Sequence, residues 1–164
     1  MKIGLMADTH DNLRMIERAV RVFEGEGVGA VLHAGDFIAP FALRALKEAL
    51  GVDLYGVFGN NDGERTGLKA LLGDRLLPAP ALWELGGWRV LLAHELTPEG
   101  ARALAEGGAL RLVAFGHTHE ALVERLGETL IVNPGEAGGW LYGRPTVAVV
   151  DLRELKAEIR PLNG

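Results

Sequence analysis

Hydrophobic and polar positions along residues 1–58 follow two different periods in turn. Short unbroken apolar runs predict buried strands, and between them apolar residues recur at helical spacing, as at Leu13, Ile16, Val20 and Phe23. Strands joined by helices in this way form parallel pairs in a buried sheet with right-handed crossovers. The predicted strands are Lys2–Ala7, Ala30–Ala34 and Val52–Phe58, and the helices between them are Asn12–Glu26 and Pro40–Leu50.

The pattern changes in the second half of the chain. Gly86-Gly87 separates the apolar runs Ala81–Leu85 and Trp88–Ala93, which predicts a β-hairpin. The sequence shows no linker and no internal repeat, so we expect one domain over residues 1–164, an α/β fold with a four-layer α/β/β/α sandwich of two stacked mixed sheets flanked by helices. The remaining predicted elements are a helix over Pro98–Glu106 and strands over Leu112–Phe115, Ala121–Leu126, Thr129–Val132, Thr146–Leu152 and Glu154–Arg160.

Composition narrows the class of protein. With 48% hydrophobic and 24% charged residues, the 164-residue chain has the profile of a globular protein and not of a disordered one. Its 22 acidic and 17 basic residues give a net charge of −5, which supplies no basic surplus for binding nucleic acid or an anionic membrane. The absence of cysteine excludes disulfides and thiolate metal sites. With no apolar stretch near the ~18 residues of a membrane span, we expect a cytoplasmic protein.

Five of the apolar runs end in side chains that can bind metal. Ligands bind at the carboxyl ends of the strands in α/β sheets, so seven oxygen and nitrogen donors converge if these strands share an edge. Carboxylates together with imidazoles select Mn, Fe, Zn, Ni or Co, and seven donors suit two ions better than one tetrahedral zinc. Two divalent ions beside two aspartates leave a positive centre that attracts a phosphate ester. The five segments are Asp8-Thr9-His10, Gly35-Asp36, Gly59-Asn60-Asn61-Asp62, His94 and Gly116-His117-Thr118-His119.

At these segments the sequence resembles the calcineurin-like metallophosphoesterase superfamily. Its signature is D-x-H, G-D, G-N-x-[DE], a lone His and G-H-x-H, and all five blocks occur here in that order over residues 8–119. The opening Ala-Asp-Thr-His-Asp-Asn and the later Asn133-Pro134-Gly135 resemble the small bacterial and archaeal phosphodiesterase branch. The resemblance extends over effectively the whole chain and implies a binuclear metal-dependent phosphoesterase that hydrolyses phosphodiesters.

The resemblance also implies a role for each donor, which the residues alone do not apportion. The implied cofactors are two divalent transition-metal ions, Mn first and Ni, Fe, Zn or Co as the alternatives. A hydroxide between the ions would attack phosphorus in line, with Asp36, Asn60 and Asn61 as catalytic residues. Asp8, His10 and His119 would hold the first ion, Asp36 would bridge, and Asn60, His94 and His117 would hold the second.

Three positions depart from the pattern of the family. The residue after the G-N asparagine is His in the phosphatase branches, where it helps to protonate the leaving group, but here it is Asn61. An amide donates a hydrogen bond without transferring a proton, which favours diesters and activated esters. Glu95 and Glu136 stand where relatives often have Gly and Ser, and these changes bear on substrate specificity.

Several alternatives stay open from the sequence. A catalytically weak scaffold like the retromer-subunit branch, or a module that only binds a phosphate ligand, could share the fold, although the seven intact donors favour an enzyme acting on a small phosphate ester. The loop Pro134–Pro145 is either a solvated connector or a substrate-facing flap in which Arg144 contacts substrate. His33 is expected to be packed near the site and not to be a ligand. Trp83 and Trp88 are expected in the core or at a subunit contact, so a homo-oligomer is possible.

Overall fold

Two mixed β-sheets lie at the centre of the computed structural model, which describes residues 1–163. The strands are β1 (Lys2–Met6), β2 (Ala30–His33), β3 (Asp53–Val57), β4 (Leu76–Leu77), β5 (Ala81–Leu85), β6 (Trp88–Leu92), β7 (Leu112–Ala114), β8 (Ala121–Leu126), β9 (Thr129–Pro134), β10 (Thr146–Asp151) and β11 (Lys156–Pro161). The α-helices are α1 (Leu13–Glu26), α2 (Pro40–Ala49), α3 (Arg65–Leu72) and α4 (Pro98–Glu106). Among the described residues, no helix combines the length and the hydropathy needed to cross a membrane.

The order of the strands brings the ends of the predicted apolar runs to one edge of each sheet. The first sheet has the order β11-β10-β1-β2-β3-β4, in which β1 to β4 are parallel and β10 and β11 are antiparallel additions. The second has the order β5-β6-β7-β9-β8, with β6, β7 and β9 parallel. Parallel neighbours end at the same edge of a sheet, so the segments after β1, β2 and β3 lie together, as do those after β6 and β7.

Three apolar clusters define the four layers. The innermost cluster lies between the two sheets and includes Leu5, Leu32 and Leu92, all fully buried. A second cluster packs α1, α2 and α3 on the outer face of the first sheet, and a third packs α4 against the second sheet. Helices therefore cover both outer faces, which confirms the predicted α/β/β/α sandwich.

Helix α3 was not predicted, because its local sequence is a weak helix former. It has eight residues, with Thr66 and Gly67 in its first turn. Tertiary contacts explain why it forms: Leu68 is fully buried, and a Cβ on Gly67 would lie 2.8 Å from Cγ of Pro40 in α2. The absence of a side chain at this glycine therefore lets the two helices approach closely, and nothing in the local pattern indicates that contact.

Candidate metal centre

The structure brings all seven predicted donors together at the edge where the parallel strands end. Each side chain is carried by the loop that directly follows a strand of one sheet or the other. Asp8 and His10 follow β1, Asp36 follows β2, Asn60 follows β3, His94 follows β6, and His117 and His119 follow β7.

One half of the cluster consists of Asp8, His10 and His119. Oδ1 of Asp8 lies 3.4 Å from Nε2 of His119 and 3.8 Å from Nε2 of His10. The Asp8 side chain is fully buried, and its other oxygen, Oδ2, accepts a hydrogen bond of 3.0 Å from the backbone N–H of His117. The three side chains thus place one carboxylate oxygen and two imidazole nitrogens within reach of a single ion.

The other half consists of Asn60, His94 and His117. Nδ1 of His94 lies 2.6 Å from the carbonyl oxygen of Ala34 and donates to it, so that Nε2 faces the cluster. Oδ1 of Asn60 lies 2.8 Å from Nε2 of His94 and 3.1 Å from Nδ1 of His117. The amide oxygen and the two imidazoles therefore point at a common position.

Asp36 lies between the two halves. Its Oδ2 is 3.4 Å from Nε2 of His10 and 3.5 Å from Nε2 of His94, one imidazole from each half. Asn61 holds this carboxylate, since its backbone N–H donates to Oδ1 at 2.9 Å and its side-chain amide donates to Oδ2 at 2.8 Å. Asp36 therefore lies within contact distance of one predicted ligand from each half of the cluster.

Unpaired polar atoms test whether the cluster fits a metal. Within residues 1–163, the buried side-chain nitrogen and oxygen atoms without a hydrogen-bond partner are Oδ1 of Asp8, Nε2 of His10 and Nδ1 of His119. Leaving a buried polar group unpaired costs roughly 1–3 kcal/mol, so such groups are rare in proteins. All three belong to side chains of this cluster, and a cation would satisfy the first two. The donor set therefore fits a divalent transition metal.

The loops that carry the donors have strained backbone conformations. Asp8, His10, Asp36, His117 and His119 all have positive φ angles, between 42° and 68°. A left-handed conformation at a residue other than glycine costs on the order of 1–3 kcal/mol, and such residues concentrate at functional sites. The chain adopts these left-handed conformations directly after β1, β2 and β7, where it carries five of the seven donors.

Two glycines of the sequence motifs are required by close approach to the carboxylates. A Cβ on Gly59 would lie 2.2 Å from Oδ1 of Asp36, and one on Gly116 would lie 3.0 Å from Oδ2 of Asp8. Any side chain at Gly59 would displace Asp36, and one at Gly116 would crowd Asp8. The glycine in each of these two motifs is therefore required because the backbone packs closely against a donor carboxylate.

The charges of the cluster stabilise one another. Burial alone would raise the pKa of Asp36, but hydrogen bonds from His94 and Asn61 outweigh it and hold that pKa well below its usual range. Burial likewise disfavours a charged His94, yet the carboxylates of Asp36 and Asp8 raise its pKa. The pKa of His119 is raised chiefly by the adjacent carboxylate of Asp8. Protons and a metal ion would therefore compete for the same imidazoles.

His33 lies beside the cluster but does not offer it a lone pair. The N–H of Gly35 donates to Nδ1 at 3.2 Å, so Nε2 carries the proton and meets Oγ1 of Thr9 at 3.0 Å. Complete burial lowers the pKa of His33 to about 3, so the ring is neutral, and it stacks on Phe37 with ring centroids 3.8 Å apart. Both ring nitrogens of His33 have hydrogen-bond partners, which favours the prediction that His33 is a packed residue and not a metal ligand.

Asp62 ties two of the donor loops together, a role that sequence reasoning missed. Its Oδ2 accepts hydrogen bonds from the N–H groups of Gly59 at 2.7 Å and Asp36 at 3.0 Å, and its Oδ1 accepts one from Ile38 at 2.8 Å. The carboxylate thereby joins the loop after β2 to the loop after β3. The signal was present in the G-N-x-[DE] block, but Asn60-Asn61-Asp62-Gly63 taken by itself is better explained as a turn.

Glu136 is the second residue that the sequence did not place correctly. Its side chain is 2% exposed, and Oε1 lies 3.4 Å from Nδ1 of His119. The same carboxylate accepts the N–H of Trp140 at 2.8 Å and that of Leu141 at 3.0 Å. A carboxylate on the far nitrogen of a ligating histidine fixes the orientation of the ring. Glu136 therefore contacts a predicted metal ligand and also folds the loop after β9.

We expect Glu136→Gln to weaken divalent metal binding about 10- to 100-fold, as other changes behind a ligating histidine do. Glutamine keeps an oxygen that can accept the loop N–H groups but removes the negative charge beside His119. Calorimetric titration of the metal-free protein with Mn²⁺ measures the effect. Glu120→Gln, which changes an exposed neighbouring carboxylate, is the matched control. Equal affinities in the two variants would contradict a role for Glu136 in positioning His119.

Arg144 lies on a cavity that reaches the cluster. The cavity has a volume of about 590 Å³ and is lined by His119, Tyr142, Arg144 and Thr146, among others. Glu95, one of the three positions that depart from the family pattern, lines a separate cavity with Asn60 and His94. Arg144 and Glu95 thus each line a cavity that includes at least one predicted metal ligand.

Stacked mixed sheets with carboxylate and imidazole donors along their common edge define the class of metallophosphoesterases, which hydrolyse phosphate esters. The family model described as the calcineurin-like phosphoesterase superfamily domain matches residues 1–155, and this chain belongs to that family. Divalent metal ions are implied by membership of the family, as the donor set already indicates.

Comparison with known sequences and solved structures shows what the chain is similar to. Phosphodiesterase MJ0936 of Methanocaldococcus jannaschii is 36% identical over 155 residues, which cover 92% of this chain and 93% of that protein. A solved structure of an archaeal phosphodiesterase superposes with a TM-score of 0.89 at 33% identity, covering 98% of this chain and 99% of the other. Vps29 of Entamoeba histolytica, solved in complex with zinc, gives a TM-score of 0.67 at 18% identity with coverages of 99% and 100%, a likeness of fold alone.

Proposed function

We propose that this chain is a binuclear metal-dependent phosphodiesterase. The observation that carries the proposal is the position of Asp36, whose Oδ2 lies within 3.5 Å of an imidazole from each half of the donor cluster. The similarity to proteins named as phosphodiesterases supports it. Two ions, manganese first among the candidates, would supply Lewis acidity and an activated water at neutral pH.

The proposed division of the donors follows the two halves of the cluster. Together they offer two negative charges, from Asp8 and Asp36, and neutral imidazole and amide groups otherwise. With two divalent cations bound, the centre keeps a net positive charge in a chain of net charge −5. The centre then attracts an anionic ester specifically. One ion would be held by Asp8, His10 and His119, and the other by Asn60, His94 and His117. Asp36 would bind both ions.

Asn61 supports a preference for diesters and activated monoesters. Its backbone N–H and its side-chain amide both donate to the carboxylate of Asp36, so Asn61 orients the proposed bridging residue. Its amide cannot give a proton to a departing alkoxide. Esters whose leaving oxygen carries its charge without protonation are therefore the better substrates in this proposal.

Arg144 is the proposed contact for the substrate on the side of His119. The cavity that both residues line falls within the roughly 300–1,000 Å³ typical of small-molecule sites. A guanidinium there offers charge-assisted hydrogen bonds to a phosphate or its substituent. The net charge of −5 and the absence of cysteine support a cytoplasmic enzyme that acts on a small ester, without nucleic acid or membrane as partner. A homo-oligomer remains part of the proposal.

Removal and return of the metal test the proposal. We expect chelated protein to be inactive toward bis(4-nitrophenyl) phosphate and Mn²⁺ to restore hydrolysis. Each ion at about 100 times its Kd adds roughly 2.7 kcal/mol to the free energy of unfolding, which raises Tm by at least about 5 °C for a chain of this size. A higher Tm without any product would favour a phosphate-binding module, and no change in either measurement would contradict the metal centre.

A further inference from the structure

A second cavity adjoins the metal centre on the side away from Arg144. It has a volume of about 360 Å³, and its floor includes Asn60 and His94, which belong to one half of the donor cluster. The cavity that contains Arg144 adjoins His119, which belongs to the other half. The centre is therefore flanked by one cavity at each half. We call the second one the Arg65 cleft and define it by Phe58, Arg65, Pro78, Pro80, Leu96 and Leu104.

The Arg65 cleft is lined by more apolar than polar side chains. Phe58 follows β3, Pro78 and Pro80 lie between β4 and β5, and Leu96 and Leu104 come from the loop before α4 and from α4 itself. Leu104 is 42% exposed, so the cleft is open to solvent along α4. A concavity that combines apolar side chains with a few fixed polar groups is typical of a site for a small ligand.

Arg65 provides the fixed polar group. Its Nε donates to the carbonyl oxygen of Asp62 at 3.0 Å and its Nη2 to that of Gly59 at 3.3 Å, while the guanidinium lies 5.0 Å from the centre of the Phe58 ring. Over the described range 1–163, no carboxylate forms an ion pair with it, although Glu95 lines the same cleft. A guanidinium held in place and left without a carboxylate favours a ligand that is part of an anion.

We propose that the Arg65 cleft binds an aromatic ring carried by one of the two ester substituents of the phosphodiester. This inference rests on the proposed function, because the phosphate group is taken to lie at the donor cluster. A diester has two substituents, and the centre has two adjoining cavities of different chemistry. A flat ring can pack against Phe58 and Leu104, which both line the cleft, whereas the lining of the Arg144 cavity includes Glu120 and Thr146 and suits the other substituent.

Inhibition by two phosphonates tests the cleft on the Mn²⁺-loaded protein. Phenylphosphonate and methylphosphonate share the anionic group and differ in the ring. Burying one aromatic ring favours the phenyl compound by about tenfold or more. Leu104→Trp places an indole in the cleft from the exposed face of α4, and we expect it to reduce this preference at least fivefold. Leu126→Trp, at a similarly exposed leucine of β8, is the matched control.

The outcomes separate the two proposals. Equal inhibition by both phosphonates in the unchanged protein, an unaltered preference in Leu104→Trp, or a preference lost in Arg144→Ala instead would each overturn the ring site and leave the phosphodiesterase proposal standing. No inhibition by either phosphonate, together with no hydrolysis, would overturn both. Thymidine 5′-monophosphate identifies the source of the ring: a loss of its inhibition in Leu104→Trp supports a nucleoside substituent, and a loss limited to phenylphosphonate supports an aryl one.

Discussion

Asp36→Asn should lower the metal-dependent hydrolysis of bis(4-nitrophenyl) phosphate by about 100-fold or more, the scale on which electrostatic stabilisation by one group acts. Asparagine has nearly the same shape and keeps an oxygen that can accept a hydrogen bond from Asn61. It removes one of the two negative charges of the donor cluster, at the position between its two halves. Values of kcat/KM measured with Mn²⁺, together with elemental analysis of bound metal, report the loss.

Asp151→Asn is the control for Asp36→Asn. Asp151 lies at the end of β10 and accepts hydrogen bonds from the N–H groups of Arg153 and Glu154, away from the donor cluster. We expect this variant to keep its activity and its metal content. If Asp36→Asn retains two ions and activity within a few-fold of the unchanged protein, Asp36 does not bridge them and the binuclear proposal is wrong.

The position of the centre could be predicted because it follows from topology. Each of Asp8, Asp36, Asn60 and His94 stands at the end of an apolar run or one glycine beyond it, and the short length of these runs favours buried strands. Once strands are joined through helices, their carboxyl ends fall on one edge, so position in the chain becomes position in space. The positions of these donors could therefore be predicted without any knowledge of side-chain packing.

The supporting residues could not be predicted, because their contacts join segments that are distant in the chain. Glu136 contacts His119 because β9 places the loop that follows it beside the donor cluster. The residues around Glu136 in the sequence are compatible with a solvated connector. Arg65 owes its position to carbonyl groups of the loop after β3 and to helix α3, which forms through tertiary contacts. The Arg65 cleft has the same origin, since its walls come from more than three separate segments.

The strain at the donors explains why so many buried hydrogen bonds surround them. Left-handed conformations at Asp8, Asp36 and His119 would relax in a free loop. Asp62 opposes this at Asp36 by accepting that residue's N–H, and His33 does so through Thr9, which lies between Asp8 and His10. Such contacts hold the cluster ready before an ion binds, which is the condition for tight and selective coordination.

Asn61→His is expected to raise the turnover of phenyl phosphodiesters about 10- to 100-fold while changing 4-nitrophenyl esters little. Asn61 is exposed at the centre, with its amide 2.8 Å from Oδ2 of Asp36. A histidine there would place a titratable imidazole beside the centre, at the position where the phosphatase branches of the family carry one. A protonated imidazole can give a proton to the departing oxygen, as general acids do for gains of roughly 10²–10⁴.

The pH profile and a second variant distinguish this gain from a change in packing. Because only the protonated imidazole acts as the acid, the added rate in Asn61→His must be present at low pH and disappear as pH rises through the pKa of the new histidine. Asn61→Gln keeps an amide and gains no such limb, so it should not favour the phenyl ester. A rate increase of equal size for both esters, or one without the pH-dependent limb, would show that the amide at this position is not what limits the hydrolysis of poor leaving groups.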